Sequence, residues 1–410
     1  MLRRILLGLA IVLAVAFGAF YAWQWRGELP PASTSAHAFD PGIVAKGAQL
    51  AAIGECGVCH TRAGGKPYAG GFPVQTPFGV VYGTNITPDR ETGIGAWSEE
   101  AFRRAMREGV ARDGTHLYPA FPYDHFTRLT DGDISALYAF LMTREPAAQA
   151  NRQPQLDFPL NFRIFAAGWQ LLFLSKGPYR NDPAQSAAWN RGAYLVEGVG
   201  HCGGCHTPRN AFGAERKHEA YGGGASEGWS APALNASSPA PVPWTVDQLT
   251  AYLKAGFADQ HGFAAGPMQP VVANLGKAAD ADVRAIATYV ASFIGPRNAA
   301  DRQRQTDAAL AFAKQRAVNV GDLARTTTGV ASADDRSVGG VLFAGACASC
   351  HRSGGGLPAS RPIALALSTP VNASDPANLL RIVVDGIHPP AAERGPIMPG
   401  FSGALTDPQI

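Results

Sequence analysis

A chain of 410 residues is long enough for two to four domains. Its 46% hydrophobic and 16% charged residues suit a globular protein with a membrane-facing or partner-facing surface and exclude a disordered one. A formal net charge of only +3, with no Lys/Arg-rich run and no aromatic-basic stripe, speaks against nucleic acid as a partner.

The chain begins MLRRILLGLAIVLAVAFGAFYAWQWRGELP, with Arg3 and Arg4 ahead of an uncharged apolar run from Ile5 to Trp23. That run is about the length of a bilayer span. Its positive flank predicts a cytoplasmic start with the rest of the chain exported. Tyr21, Trp23 and Trp25 stand where an aromatic belt would meet the outer interface. The competing reading is a cleaved signal peptide, for which Ala14, Val15 and Ala16 offer a cut. The run stays apolar past that point, so residues 1–26 read as a membrane anchor in preference to a signal. Either way the chain is exported.

Six cysteines follow, and they form three C-x-x-C pairs: Cys56 and Cys59, Cys202 and Cys205, Cys347 and Cys350. A histidine stands directly after each pair, at His60, His206 and His351. C-x-x-C-H is the attachment signature of c-type haem. The two thiols add across the two vinyl groups of one porphyrin, and the adjacent imidazole becomes the proximal iron ligand. Structural zinc or a thioredoxin-like redox pair would use C-x-x-C, but neither explains a histidine after all three. The expected cofactors are three covalently bound haem c groups, and no cysteine remains for a disulfide.

The motifs lie in a repeat. A helix-like stretch leads into each: AKGAQLAAIGECGVCHT, NRGAYLVEGVGHCGGCHT and SVGGVLFAGACASCHRS. Downstream come WSEEAFRRAMREG, WTVDQLTAYLKAG and PANLLRIVVDG, with helical apolar spacing and stops at Gly109, Gly256 and Gly386. After a Pro/Gly-rich loop a further helix begins in LTDGDISALYAFL, AADADVRAIATYV and LTDPQI, with Asp131 and Asp280 near the expected caps. The fold expected is mainly α: three tandem class I-type cytochrome c domains at 40–146, 187–296 and 335–410, after an N-terminal transmembrane helix.

Twelve residues after Gly256 stands Met268, and twelve after Gly386 stands Met398. A methionine in a proline-flanked loop between two helices is the usual distal ligand that completes His/Met coordination. Most methionines merely fill cores. With only five in the chain, two at one register read as iron ligands. The same count from Gly109 reaches Phe121, which cannot bind iron. The candidate replacements for the first haem are His125, His116 and Met142. His125 comes first, because a turn around Pro122 would carry its imidazole over the iron, and Met142 comes last, on a helix expected to pack away from that face.

Of the links, 147–186 holds the strongly apolar stretch LDFPLNFRIFAAGWQLLFLSKGP, too short to span a bilayer. It packs between the first two domains or lies on a membrane or partner, with Arg163 and Lys176 at its flanks. The link 297–334 is polar and alanine-rich and reads as a solvated helix and loop. The third unit stops at Ile410, about where its last helix should begin. Either the chain is truncated or a partner covers the gap.

Three C-x-x-C-H units together with TPFGVVYGTNITPD (76–89), GAYLVEGVGHCGGCHTPRN (192–210) and MPGFSGALTD (398–407) resemble the triheme cytochrome c subunits of membrane-bound periplasmic dehydrogenases, from about residue 40 onward. HLYPAFPYDHF is similar to the branch that accompanies molybdenum-containing aldehyde or N-heterocycle oxidoreductases. The resemblance implies an electron-transfer subunit on the periplasmic side of the inner membrane. It implies a catalytic partner with a molybdenum, flavin or quinone cofactor, allows an iron–sulfur subunit, and makes membrane ubiquinone or another respiratory acceptor the destination of the electrons. Phe121 departs from the methionine of the alcohol and gluconate branches. The chain itself shows no nucleotide fingerprint or catalytic triad, so no catalytic residue is expected. The alternatives are a free-standing electron-transfer cytochrome, or peroxidase-like chemistry at an open first haem.

Overall fold

The computed structural model describes residues 1–33, 38–296, 298–315, 338–351, 365–388 and 398–410. It is mainly helical, as expected. The apolar N-terminal run forms α1 (Leu2–Gln24), in which no residue is buried. By length and composition α1 fits a membrane anchor or a signal sequence.

By contact density the chain divides into two compact units. One holds residues 1–182 with 194–201 and 211–214; the other holds 183–193, 202–210 and 215–410.

In the first unit, α2 (Pro41–Ile53) and α3 (Cys56–Cys59) carry the first motif. Asp40 caps α2 by accepting from the Gly42 and Ile43 amides, with Pro41 at the first helical position. Then come the hairpin β1 (Pro73–Thr76) and β2 (Gly79–Tyr82), α4 (Glu99–Glu108), the single turn α5 (Tyr123–Phe126) and α6 (Asp131–Met142). β3 (Gln155–Leu156) adds to β2 to complete a small antiparallel sheet. α7 (Ile164–Phe173) follows, and the C-terminal part of α8 (Ala187–Glu197) also belongs to this unit. The core forms where α2 crosses α6, around Leu50, Ile53, Phe102, Ile134 and Leu137. At the crossing, a Cβ on Gly47 would stand 2.0 Å from the Ala136 carbonyl oxygen. Only glycine permits that approach.

The second unit repeats the plan. It contains the start of α8, α9 (Gly203–His206), the hairpin β4 (Gly224–Ser226) and β5 (Trp229–Ala231), and α10 (Val246–Ala255). The short pair β6 (Phe257–Ala258) and β7 (Gly262–Phe263), α11 (Met268–Leu275), α12 (Asp280–Ala291) and α13 (Ala299–Gln315) complete that stretch. A Cβ on Gly192 would stand 2.0 Å from the Ala285 carbonyl oxygen, the same crossing again.

The helices between these crossings also match. Ser98 and Thr245 cap α4 and α10 by accepting from the Ala101 and Gln248 amides. Both helices end as predicted, at Gly109 (φ 66°) and Gly256 (φ 72°). Near each end a cation reaches back. Arg107 donates to the carbonyls of Thr127 and Leu129 and pairs with Asp131 at 2.8 Å. Lys254 donates to the carbonyls of Gly276 and Ala278 and pairs with Asp280 at 2.8 Å. Asp131 and Asp280 are therefore not the caps expected of them. Thr130 caps α6 by accepting from the Asp133 amide, and Ala279 precedes α12 with no side-chain cap.

The links resolve in part. Ala166, Ala167 and Gln170 bury one side of α7 within the first unit. α13 confirms the helix expected in the second link, but its first turns are docked, with Arg302 donating to the carbonyls of Trp244, Ala291 and Ile294. In the third repeat the helix Ala377–Asp385 packs on β5, where Asn378 and Ser230 exchange two hydrogen bonds. Much of the third repeat's connecting sequence, residues 352–364 and 389–397, lies outside the described residues.

Candidate haem-binding sites

Each of the first two motifs starts from an unusual backbone. Glu55 and His201, the residues before Cys56 and Cys202, adopt left-handed conformations (φ 54° and 35°). Non-glycine residues hold such angles only where the surroundings impose them. Cys56 and Cys59 then lie on α3 with His60 at its C-cap, and Cys202, Cys205 and His206 lie on and beside α9. Cys347, Cys350 and His351 lie on consecutive helical turns over Phe343–Cys347 and Ala348–His351. None of the six cysteines is in a disulfide.

The histidines of the first two motifs are held alike. His60 Nδ1 meets the Thr84 carbonyl oxygen at 2.6 Å, and His206 Nδ1 meets that of Pro232 at 2.8 Å. A carbonyl only accepts, so Nδ1 carries the hydrogen and Nε2 keeps the lone pair that an iron would use. Burial pushes both rings below the usual imidazole range, opposed by that same carbonyl contact. Burial also lowers His351. A neutral imidazole with Nδ1 anchored is what an iron ligand needs.

The loops that hold these carbonyls pass against the motifs backbone to backbone. A Cβ on Gly83 would fall 1.8 Å from the Cys59 carbonyl oxygen, and one on Gly224 would fall 2.2 Å from that of Cys205. The threonine after each histidine turns the chain: Thr61 and Thr207 accept from the amides of Tyr68 and Tyr221, both at 3.0 Å. Sequence reasoning missed this pair, although the shared C-H-T triplet marked it. The cysteine pairs outside any disulfide, the anchored imidazoles and the wrapping glycines fit haem c at both motifs.

The residues expected on the distal side have different settings. Met268 opens α11. Met398 pairs with Ile387 through two backbone hydrogen bonds of 2.9 and 3.1 Å. In the earlier repeats the residues just after Gly109 and Gly256 pair instead with His116 and Phe263. The shared count of twelve residues thus reaches two local geometries.

Phe121 packs edge-on against Phe126, ring centres 5.3 Å apart, and against Tyr123 at 6.3 Å. His125 is buried on α5, and its Nδ1 donates to the Glu197 carbonyl at 2.9 Å. His116 is committed elsewhere. Its Nδ1 faces Gln170 Oε1 at 2.5 Å and its Nε2 faces the Gln24 carbonyl at 2.8 Å. Gln170 Nε2 donates to the Gly109 carbonyl, which fixes the amide so that its oxygen faces His116. Both of its ring nitrogens thus face oxygen atoms at hydrogen-bonding distance. Met142 ends α6, half-exposed.

A cytochrome c family model matches residues 44–145. Over 409 residues the chain is 45% identical to one of the subunits of nicotinate dehydrogenase from Pseudomonas putida, covering 98% of this chain and 32% of that protein. It is 36% identical to the gluconate 2-dehydrogenase cytochrome c subunit of Pantoea cypripedii, covering 90% of this chain and 83% of the relative. Identity is also 36% to the fructose dehydrogenase cytochrome subunit of Gluconobacter japonicus, covering 93% and 79%. The chain spans about a third of the length of the first relative and about four-fifths of the other two. With that coverage and the haem-attachment geometry repeated at two motifs, the chain belongs to the family of dehydrogenase cytochrome c subunits.

Proposed function

We propose that this chain is the electron-transfer subunit of a periplasmic, membrane-bound dehydrogenase. It carries three covalent haem c groups in three cytochrome domains (40–146, 187–296 and 335–410) and passes electrons from a catalytic subunit to ubiquinone or another respiratory acceptor. The observation that carries the reading is the matched pair His60–Thr84 and His206–Pro232 beside C-x-x-C cysteines that form no disulfide. Haem iron, when bound, supplies a ferrous–ferric couple whose potential follows its axial ligands and burial. The protein's part is to hold both faces of the group still, so that electrons pass without bond rearrangement.

In this reading Cys56, Cys59, Cys202, Cys205, Cys347 and Cys350 form the thioethers, and His60, His206 and His351 are proximal ligands. Met268 and Met398 are distal ligands. His125 is the sixth ligand of the first haem, favoured because its Nδ1 rests on a carbonyl as those of His60 and His206 do. The likeness to a nicotinate dehydrogenase component favours an N-heterocycle-oxidising catalytic partner, and the resemblance carried by HLYPAFPYDHF makes molybdenum its metal and allows an iron–sulfur subunit. α1 is the anchor, with the haem domains outside.

Purification from the native membrane tests this. The expected preparation contains a catalytic dehydrogenase subunit and three haems per chain, falling to two in Cys202→Ala/Cys205→Ala. A chain that purifies alone, or a double variant that keeps its full haem content, overturns the reading.

A further inference from the structure

The C-terminal end of α1 is fixed to the first unit by a buried relay. The Gln24 carbonyl meets His116 Nε2 at 2.8 Å, and His116 Nδ1 meets Gln170 Oε1 of α7 at 2.5 Å. One imidazole thereby joins the end of α1 to α7. The next residues are fastened too. Arg104 Nη1 donates to the Gly27 carbonyl at 2.8 Å, and the Leu29 amide donates to the Arg112 carbonyl at 2.8 Å. Phe20 of α1 lies 4.0 Å from the Cβ position of Gly168 on α7.

α7 is one-sided. Ala166, Ala167 and Gln170 face inward. On the opposite side Phe165, Gly168 and Leu172 follow one another at helical spacing, with Phe162 just before the helix. Phe162 is 53% exposed, Phe165 45% and Leu172 69%, and Leu171 widens the stripe. Because Gly168 meets Phe20, this exposed apolar side continues the apolar surface of α1. Polar groups border it: Arg163 lies over the Tyr118 ring, its guanidinium 4.0 Å from the ring centre, and Lys176 pairs with Glu108 at 2.7 Å.

We infer that this face of α7 lies in the interfacial layer of the bilayer that α1 crosses, as a second, in-plane attachment of the first unit. At 10 residues α7 cannot span. A short helix with one apolar side and bordering cations does suit the headgroup–acyl boundary. Lipid is the occupant because the stripe is contiguous with the membrane-spanning helix and joined to its end by His116. The inference rests on reading α1 as an uncleaved span.

The test uses the full-length, haem-loaded chain in phosphatidylcholine/phosphatidylglycerol vesicles without a catalytic subunit. Nitroxide labels are placed singly through Ala16→Cys on α1, Leu172→Cys on α7 and Gln303→Cys on α13. Their accessibility to oxygen and to a water-soluble nickel chelate is read by electron paramagnetic resonance. The expected result is oxygen-rich, nickel-excluded labels at 16 and 172, and the reverse at 303. Nickel access at 172 equal to that at 303, with 16 still shielded, overturns the inference and leaves α1 standing. Nickel access at 16 removes the anchor reading and the inference together. Shielding of 172 that appears only when catalytic subunit is added assigns the face to a protein partner and also overturns it.

Discussion

Gly47 and Ala136 meet backbone to backbone, so that the α2–α6 crossing leaves no room for a side chain at position 47. In the second unit Gly192 stands in the same relation to Ala285, and Tyr289 flanks it as Phe140 flanks Gly47. These contacts set how the helices leading into the first two motifs lie on α6 and α12.

Gly47→Ala therefore forces a shift of packed backbone and should lower stability by about 1–3 kcal/mol. Gly132→Ala is the contrast: it lies in the first turn of α6 with nothing within 4 Å of its Cβ position. That change should raise stability by roughly 0.5–1 kcal/mol. Guanidinium midpoints followed by haem absorbance and far-ultraviolet dichroism check both. Equal midpoints for the two variants would refute the packing account.

His261 makes stability depend on pH. The Trp244 ring covers it, centres 3.5 Å apart and planes 10° apart, and Gln248 Oε1 lies 3.4 Å from Nε2. Burial lowers its pKa from 6.5 to about 4. Between those values the unfolded chain binds a proton that the folded chain refuses, so stability is complete above pH 6.5 and falls as pH drops toward 4. The total loss is on the order of 3 kcal/mol. Denaturation at pH 7.5 and 4.5 should show this loss in wild type and a smaller one in His261→Phe. Parallel losses in the two proteins would exclude His261 as the source.

His125→Ala should alter the low-spin resonance of one haem, and His125→Met should raise that haem's potential, because a thioether favours ferrous iron. Redox titration with resonance detection reads both changes. An unchanged set of low-spin signals in His125→Ala removes His125 from the coordination sphere.

For His116→Ala the expectation is the opposite. Gln24 and Gln170 lose their shared hydrogen-bond partner, which should cost about 1–3 kcal/mol. The haem resonances should stay as they are, and cleavage by added protease near residues 24–29 should quicken. A lost or shifted low-spin signal would return His116 to the list of ligands.

The parts of this molecule that were legible in the sequence are those that covalent chemistry or backbone angle pins to a residue type. Thioether formation fixes C-x-x-C-H, and the left-handed helix stops at Gly109 and Gly256 call for glycine. The anchors of His60 and His206 were not legible. They are main-chain carbonyls, 24 residues on from His60 and 26 from His206, and a carbonyl leaves no trace in residue identity. Asp131 and Asp280 misled for a related reason. Each stands in a first turn where a cap is common, but Arg107 and Lys254, more than 20 residues earlier, claim the carboxylates. His116 was readable as a candidate ligand, while its two partners come from α1 and α7, far away in the chain.

Tyr194 shows where a single-haem fragment would have to be cut. It stands in the lead-in to the second motif, yet its hydroxyl binds Asp133 and accepts from the Thr130 amide at the start of α6. Asp133 is buried there and also pairs with Lys46 at 2.5 Å. A fragment ended at residue 146 would strip that carboxylate of a hydroxyl partner and uncover the cap of its own last helix. A self-sufficient first module ends beyond His201.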